Sequence, residues 1–383
     1  MIIASFLETG DDVTLKPEFI DRLVLLPKPN ANEKIKNVVW MSQIKQKLPM
    51  QTSLFWSKEA KEIIDGLIVE EQPEIIIGDM VRCTEYLRDR EAYTIADLDD
   101  RISLRYKRQV ESGISQINPY GAFLNSVPKA LQAFIMLKPI RQAVVKKEIK
   151  LLSRYELEMG SASNATIFVA EQETKTFNRE LGKEKAVTVP LGVDTEYFYY
   201  RECDKKDNLI GFLGALNVSH NESAVKHFVS DIFPKVLSDV SDAQFIVIGG
   251  GASADLLKLS SDRVTFTGKV DDVRKYLERC KVFVCPMIYG SGVKTKILEA
   301  MAIGLPVVTS SIGAENINAI DGSDWVIADK DHEFASNIID LLLDDNRRLT
   351  IGKRAAEFIN KYINWDITKK QLERCLSNGC IND

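Results

Sequence analysis

Within residues 286–309, positions 290–299 hold two glycines, two lysines and a glutamate, spaced so that they could bind an anion beside a group of hydroxyls. The run reads Pro286-Met-Ile-Tyr-Gly-Ser-Gly-Val-Lys-Thr-Lys-Ile-Leu-Glu-Ala-Met-Ala-Ile-Gly-Leu-Pro-Val-Val-Thr309. Gly290 and Gly292 let the backbone bend and lie close to a ligand with no Cβ in the way. The pattern predicts a helix beginning near Val293, with its free N–H groups and positive dipole end facing that loop. A phosphate suits such a terminus. Lys294 and Lys296 add positive charge. Glu299, further along the helix, can accept hydrogen bonds from sugar hydroxyls. The same run also suits plain packing: Ile297, Leu298, Met301 and Ala302 make a core face, and Gly304-Leu-Pro306 stops a helix. Spacing alone does not separate the two readings.

A loop of this kind needs strands to carry it. Short apolar runs predict strands near residues 23–26, 74–78, 93–96, 166–169, 186–189, 209–213, 244–248, 264–267, 282–285 and 306–309. Helical spacing covers 57–70, most of 105–157 and the intervals between the later strands. Strands alternating with helices imply an α/β fold with covered parallel sheets. A length of 383 residues allows two domains with full cores. The charged, apolar-poor stretch Arg201–Asn208 reads as a linker. In such sheets ligands bind at the carboxyl ends of the strands.

Bulk properties exclude several classes. The net charge of −5 argues against nucleic acid as a partner. Six cysteines form no CxxC pair, and three histidines are too few and too scattered for a His-based zinc site. Reduced thiols and a cytoplasmic location are expected. Cys280 and Cys285 should pack as small hydrophobes. No apolar run reaches the ~18–20 residues needed to span a bilayer.

The segment Gly290–Ala302 resembles the donor-binding segment of GT-B glycosyltransferases, close to glycosyltransferase family 4. So do Phe266-Thr-Gly-Lys-Val-Asp-Asp-Val-Arg-Lys-Tyr-Leu277, Ile210-Gly-Phe-Leu-Gly-Ala-Leu-Asn-Val-Ser-His-Asn221 and Phe245-Ile-Val-Ile-Gly-Gly-Gly251. Pro190–Phe198 resembles the family's interdomain segment, and the surroundings of Trp365 its closing helix. The match is ordered over about residues 186–370 and weaker before that. It implies two Rossmann-like domains facing across a cleft. An acceptor domain would span 1–190 and a donor domain 191–360, with a helix in 361–383 crossing back.

The resemblance implies a glycosyltransferase that uses a nucleotide sugar such as a UDP- or GDP-sugar, retains anomeric configuration and needs no cofactor or obligatory metal. Gly214, Asn217, Lys269, Val270, Tyr289, Gly290, Ser291, Gly292, Val293, Lys294, Thr295 and Glu299 would bind the donor. Backbone groups at Gly268–Val270 would meet the base, and Glu299 the ribose. Family members commonly carry a second glutamate eight positions earlier, where this chain has Ser291. The basic pair that many members place on the diphosphate, soon after the Gly214 strand, is not evident. Lys294 or Lys296 is the expected substitute. Asn217, Ser219, His220 and Asn221 form a polar cluster, in which Ser219 and Asn221 read better as helix N-caps than as ligands. Gly249–Gly251 reads as a structural turn.

On the acceptor side, Asp97, Asp100 and Ser103 resemble an Asp-x-x-Asp-x-x-Ser pattern, with an acidic helix start as the plain alternative. Tyr155-Glu156 resembles a recurring family pair. Lys294, Glu299 and Asp100 are the residues expected to carry catalysis. Residues 101–154 hold eleven Lys and Arg against Glu111 and Glu148 alone. With Phe123, Leu124, Leu131, Phe134, Ile135, Met136 and Leu137, they suit either docking on anionic lipid or a solvated helix face. The acceptor is expected to be a glycan or lipid-linked glycan of a bacterial surface, reached at the inner face of the membrane. Two rivals are a sugar-nucleotide epimerase and a degenerate binding or scaffold protein. Met1–Leu7 resembles the family's second strand and Asp21–Leu26 its third. The expectation is therefore a chain short of the usual first strand, glycine loop and helix, with either a true start upstream of Met1 or compensation by a homodimer or a bound partner.

Overall fold

The apolar runs β7 (Leu209–Leu213), β8 (Gln244–Ile248) and β10 (Val282–Cys285) are buried almost throughout. That is the mark of parallel strands covered on both faces. The computed structural model describes residues 1–7, 17–111, 124, 132, 135–201, 207–290 and 292–380. The chain divides into two compact units, Met1–Thr188 with Glu373–Asp383 and Val189–Leu372.

In the first unit, β1 (Ile2–Phe6) and β2 (Arg22–Leu26) pair in parallel with each other. β3 (Ile75–Asp79), β4 (Tyr93–Asp99), β5 (Ala165–Phe168) and β6 (Ala186–Thr188) form a parallel sheet in that order. Tyr155, Met159, Phe168 and Phe177 pack beside it, with the two phenylalanine rings 4.9 Å apart. The register of β4 on β5 shifts between Asp97 and Asp99. Asp99 takes a left-handed φ of 60° there, so the end of β4 bends out of the ladder.

The second unit adds β9 (Val264–Phe266), β11 (Val307–Thr309) and β12 (Val326–Ile327), in the order β12-β11-β10-β7-β8-β9. Every neighbouring pair is parallel. β7 is followed on one side by β8 and β9, and the chain then crosses to β10 on its other side. The strand order reverses between β7 and β10, which makes their carboxyl ends the topological switch point. Phe228 packs on Phe245 at 4.4 Å between ring centres. Cys280 and Cys285 are buried and in no disulfide among the described residues, as their apolar setting predicts. The α/β parallel-sheet class is the one read from the sequence. β12, only two residues long, has no run long enough to announce it.

The helix Thr295–Ala302 buries Ile297, Leu298, Ala300, Met301 and Ala302. It starts two residues later than spacing predicts. Gly292 has φ 67° and Lys294 has ψ 89°, neither of them helical, so regular N–H to C=O pairing cannot begin sooner. Among the described residues no helix is long and apolar enough to cross a membrane.

Candidate functional site

The switch point in the second unit is built from the segments that follow β7 and β10. Gly214 closes β7, its N–H donating to the Ile248 carbonyl at 2.9 Å. A Cβ there would lie 2.8 Å from Lys296 Nζ and 2.9 Å from Asn221 Nδ2. Gly249, at φ 135°, lies so close over Gly214 that a Cβ would come within 2.1 Å of the Gly214 carbonyl oxygen. Its N–H donates to the Gly268 carbonyl at 3.2 Å. The ends of β7, β8 and β9 are thus joined backbone to backbone. Gly249 makes an isolated bridge with Gly268, so the Gly249–Gly251 triplet, read as a turn, helps to shape this floor.

Lys296 is the cation of this floor. Its ammonium donates to Asn221 Oδ1 and stands 4.6 Å from the centre of the Phe212 ring. Burial pushes its pKa down, and Cys285, Lys294 and Glu299 modulate that. Asn221 in turn donates Nδ2 to the Ala215 carbonyl at 2.9 Å. It does not cap a helix: the N-cap of Ser219–His227 is Val218, with no side-chain bond. The carboxamide is spent instead on holding Lys296 and the loop after β7. Lys294 is buried, with Nζ donating to the Gly292 carbonyl at 2.7 Å. Lys294 is also the N-cap of the helix Thr295–Ala302 and gives it no side-chain cap bond. The expected donor N–H groups of Gly292, Val293 and Lys294 therefore give way to those of the turn starting at Thr295.

Glu299 lies one turn into that helix and is half-buried. Burial pushes its carboxyl pKa up and Lys296 pulls it back. Its carboxylate accepts no hydrogen bond among the described residues, which leaves it open to ligand hydroxyls. Tyr289 is 2% exposed, and its hydroxyl has no hydrogen-bond partner among the described residues. Its ring meets His220 edge-on at 6.3 Å. An unsatisfied buried hydroxyl costs about 1–3 kcal/mol, which a bound acceptor atom would recover. Asn217 and Lys269 are exposed at the rim, packed against Gly251 and Gly250 respectively. Val270 packs on the core. Ser291 lies outside the described residues. Lysine, an uncapped helix start and an open carboxylate together can hold a phosphate at one end and hydroxyls at the other. Sequence reasoning missed Phe212 and the roles of Asn221 and the Tyr289 hydroxyl. Only the polar cluster at 217–221 hinted at any of them.

In the first unit the three acceptor-side candidates have different surroundings. Ser103 is buried, its hydroxyl donating to Glu156 Oε2 at 2.5 Å and its N–H to Oε1 at 2.9 Å. Glu156 therefore caps the helix Ile102–Glu111. Asp100 accepts from Arg105 Nε at 3.0 Å and from Nη2 at 2.5 Å. Asp97 accepts the Asp99 N–H at 3.3 Å. Burial, with Asp79 and Asp99 nearby, pushes its pKa up to about 6. Tyr155 donates to Glu85 Oε2 at 2.9 Å and accepts from Thr84. Among the described residues no group of His, Cys, Asp or Glu has a metal-holding arrangement.

The basic region is also altered by its surroundings. Arg101 is buried on Glu156 and Glu180, and Arg105 is paired with Asp100. Leu124, Ile135 and Met136 pack half-buried against Val38, Met50 and Leu54. Phe123, Leu131 and Phe134 lie outside the described residues.

Residues 207–344 match the sequence profile of the family described as glycosyl transferases group 1. The chain is 28% identical over 204 residues to a phosphatidyl-myo-inositol mannosyltransferase of Mycolicibacterium smegmatis, covering 49% of this chain and 51% of the relative. It is 23% identical over 243 residues to a GDP-mannose-dependent monoacylated alpha-(1-6)-phosphatidylinositol monomannoside mannosyltransferase of Corynebacterium glutamicum, covering 58% and 64%. The chain spans about half the length of the first of these curated relatives and under two thirds of the second. Among solved structures it resembles sucrose-phosphate synthase of Thermosynechococcus elongatus, with TM-score 0.63 and 17% identity over 84% of this chain and 78% of that one. It also resembles Anabaena HepE in complex with UDP and glucose, with TM-score 0.60 and 13% identity over 93% and 86%. At such identities the structural likeness fixes the fold alone.

Proposed function

We propose, from the match of residues 207–344 to the glycosyl transferases of group 1 and the likeness of fold to solved GT-B structures, that the chain transfers a sugar from a nucleotide-sugar donor to a glycan or lipid-linked acceptor. The observation that carries this reading is Lys296, whose ammonium is held against Gly214 by Asn221 at the β7–β10 switch point. The diphosphate sits between that ammonium and the uncapped turn at Thr295. Glu299 takes the ribose hydroxyls, and the base lies over Gly268 towards Lys269. The acceptor oxygen bonds to the anomeric carbon as the bond from that carbon to the diphosphate breaks. The electron pair stays on the departing diphosphate oxygen, where Lys296 and the helix terminus stabilise the new charge. The proton lost by the acceptor hydroxyl leaves with that diphosphate. Retention of configuration, independence of metal and a bacterial surface glycan on the cytoplasmic side are the finer parts of this reading. They are supported by the family resemblance and by relatives named for phosphatidylinositol mannosides.

A binding protein without turnover is the second reading. It is favoured by Ser291 standing where the family resemblance implies a glutamate. Thermal stabilisation by UDP, GDP and their sugars tests the site, and release of nucleoside diphosphate on adding acceptor tests turnover. Stabilisation with release is expected. No stabilisation by any nucleotide would overturn the donor reading, and stabilisation without release would establish the second.

A further inference from the structure

After β9 the chain runs through Thr267–Val273 before the short helix Arg274–Leu277. The start of this loop is pinned. The Gly268 carbonyl accepts the Gly249 N–H at 3.2 Å and the Thr267 hydroxyl at 2.8 Å. Gly268 takes a left-handed φ of 70°, and no atom beyond its chain neighbours lies within 4 Å of where a Cβ would stand. That side of the loop is open. Lys269 and Asp271 beyond it are exposed. Each ordered residue costs backbone entropy, so such a loop keeps one shape only if its far end is held too.

Three side chains hold the far end. Asp272 accepts side-on from Arg274, with Nε to Oδ1 at 3.0 Å and Nη2 to Oδ2 at 2.9 Å, and from the Arg274 N–H at 3.0 Å. Tyr197, 75 residues earlier, donates its hydroxyl to the same Oδ1 at 3.1 Å. The Arg274 guanidinium carbon stacks 3.7 Å from the centre of the Tyr197 ring, and Nη1 donates to the Tyr197 carbonyl at 3.2 Å. The Arg274 bonds, against some desolvation, hold the Asp272 carboxyl down to about 2. Tyr197 is anchored in its turn. Asp194 accepts the N–H groups of Glu196 and Tyr197 at 3.0 and 2.9 Å, and Phe198 packs on the core of the unit. A single exposed ion pair contributes little. A bidentate fork stacked on an aromatic ring fixes a geometry instead.

We propose that Tyr197, Asp272 and Arg274 are positioning residues for base recognition, whose clasp sets the backbone of Gly268–Asp271 against the edge of the donor's base. This rests on the donor reading above. The three act through the loop: its N–H and C=O groups match one base only while the loop keeps one shape. Diphosphate and ribose are held elsewhere, by Lys296, the turn at Thr295 and Glu299. Loosening the clasp therefore costs discrimination between bases and leaves the diphosphate seat alone.

The test is calorimetry on the whole chain with UDP, GDP, ADP and CDP, and with inorganic diphosphate as the ligand that has no base. Wild type should prefer one nucleotide. Arg274→Lys keeps the charge and loses the fork and the stack. It should weaken the preferred nucleotide by about tenfold, weaken the others less, and leave inorganic diphosphate unchanged. Tyr197→Phe keeps the ring and loses one bond, and should show the same pattern at about threefold. It decides the matter if Arg274→Lys proves unfolded by its melting curve. A clasp that serves stability alone would lower the melting temperature and weaken every ligand by one factor, and that result overturns the proposal. So does an unchanged order and spread of affinities in both variants. A wild type that binds all four nucleotides equally overturns it and leaves the donor reading standing. A wild type that binds none overturns both.

Discussion

Lys296 and Asn221 lie 75 residues apart in sequence, and the ammonium of the first donates to the side-chain oxygen of the second. The bond ties the helix after β10 to the loop after β7, across the point where the strand order reverses. It also fixes a charge that a lysine side chain would otherwise spread over many rotamers.

Lys296→Ala should weaken nucleoside diphosphate binding by about tenfold to a hundredfold, from the roughly 1.5–3 kcal/mol of a charged hydrogen bond. Binding of the plain nucleoside should change little. Lys294→Ala should discriminate less, because Lys294 Nζ is already bonded to the Gly292 carbonyl. Asn221→Ala should give part of the Lys296 loss, and the double variant should lose less than the sum. Calorimetry with both ligands checks this, and additive losses would separate the two residues.

Glu299→Ala should lower affinity for nucleosides and nucleotide sugars alike, again by about tenfold to a hundredfold. The melting temperature without ligand should stay level or rise, since a half-buried carboxylate with a raised pKa is removed. Unchanged affinity for every donor that binds wild type would remove the ribose role.

Two glycine variants should part company. At Gly214 the added methyl meets Lys296 Nζ at 2.8 Å and Asn221 Nδ2 at 2.9 Å, both side-chain ends that can shift. Gly214→Ala should therefore fold and lose diphosphate affinity. At Gly249 the methyl meets the Gly214 carbonyl at 2.1 Å, on a φ of 135°. Neither can yield, and Gly249→Ala should lose about 2–4 kcal/mol of stability by denaturant titration.

Glu148 is 1% exposed and accepts the N–H groups of Met50 and Gln51 at 2.9 and 3.1 Å. Burial outweighs those bonds and pushes its pKa up to about 7 from 4.5. The folded state thus binds this proton more tightly than the unfolded one. The associated stability is fully present below about pH 4.5 and lost as pH rises through about 7, up to about 3 kcal/mol in all. Glu148→Gln should therefore gain on wild type between pH 5 and pH 8 in denaturant unfolding. A constant difference across that range would remove the assignment.

The fold was legible where composition dictates it. Val282–Cys285 and Gln244–Ile248 are apolar and β-branched or aromatic almost throughout, and only a buried parallel strand suits them. The glycine loop and Glu299 were legible too, since both lie in one continuous run. The partners were not. Nothing local to Lys296 points to Asn221 or Phe212, and nothing near Ser103 points to Glu156, because those pairs are made by the folding of distant segments. The start of the helix at Thr295 was missed for a smaller reason: the φ of Gly292 is not written in its identity.

Gly249 resting on the Gly214 carbonyl means that part of the proposed donor seat is main chain rather than side chain. A surface of that kind cannot be retuned by exchanging residues, because every exchange at either glycine adds bulk. Variation is left to the rim, where Asn217 and Lys269 stand exposed beside Gly251 and Gly250. Descendants of this sequence could therefore change the base they prefer through those two positions, while the diphosphate seat stays the same.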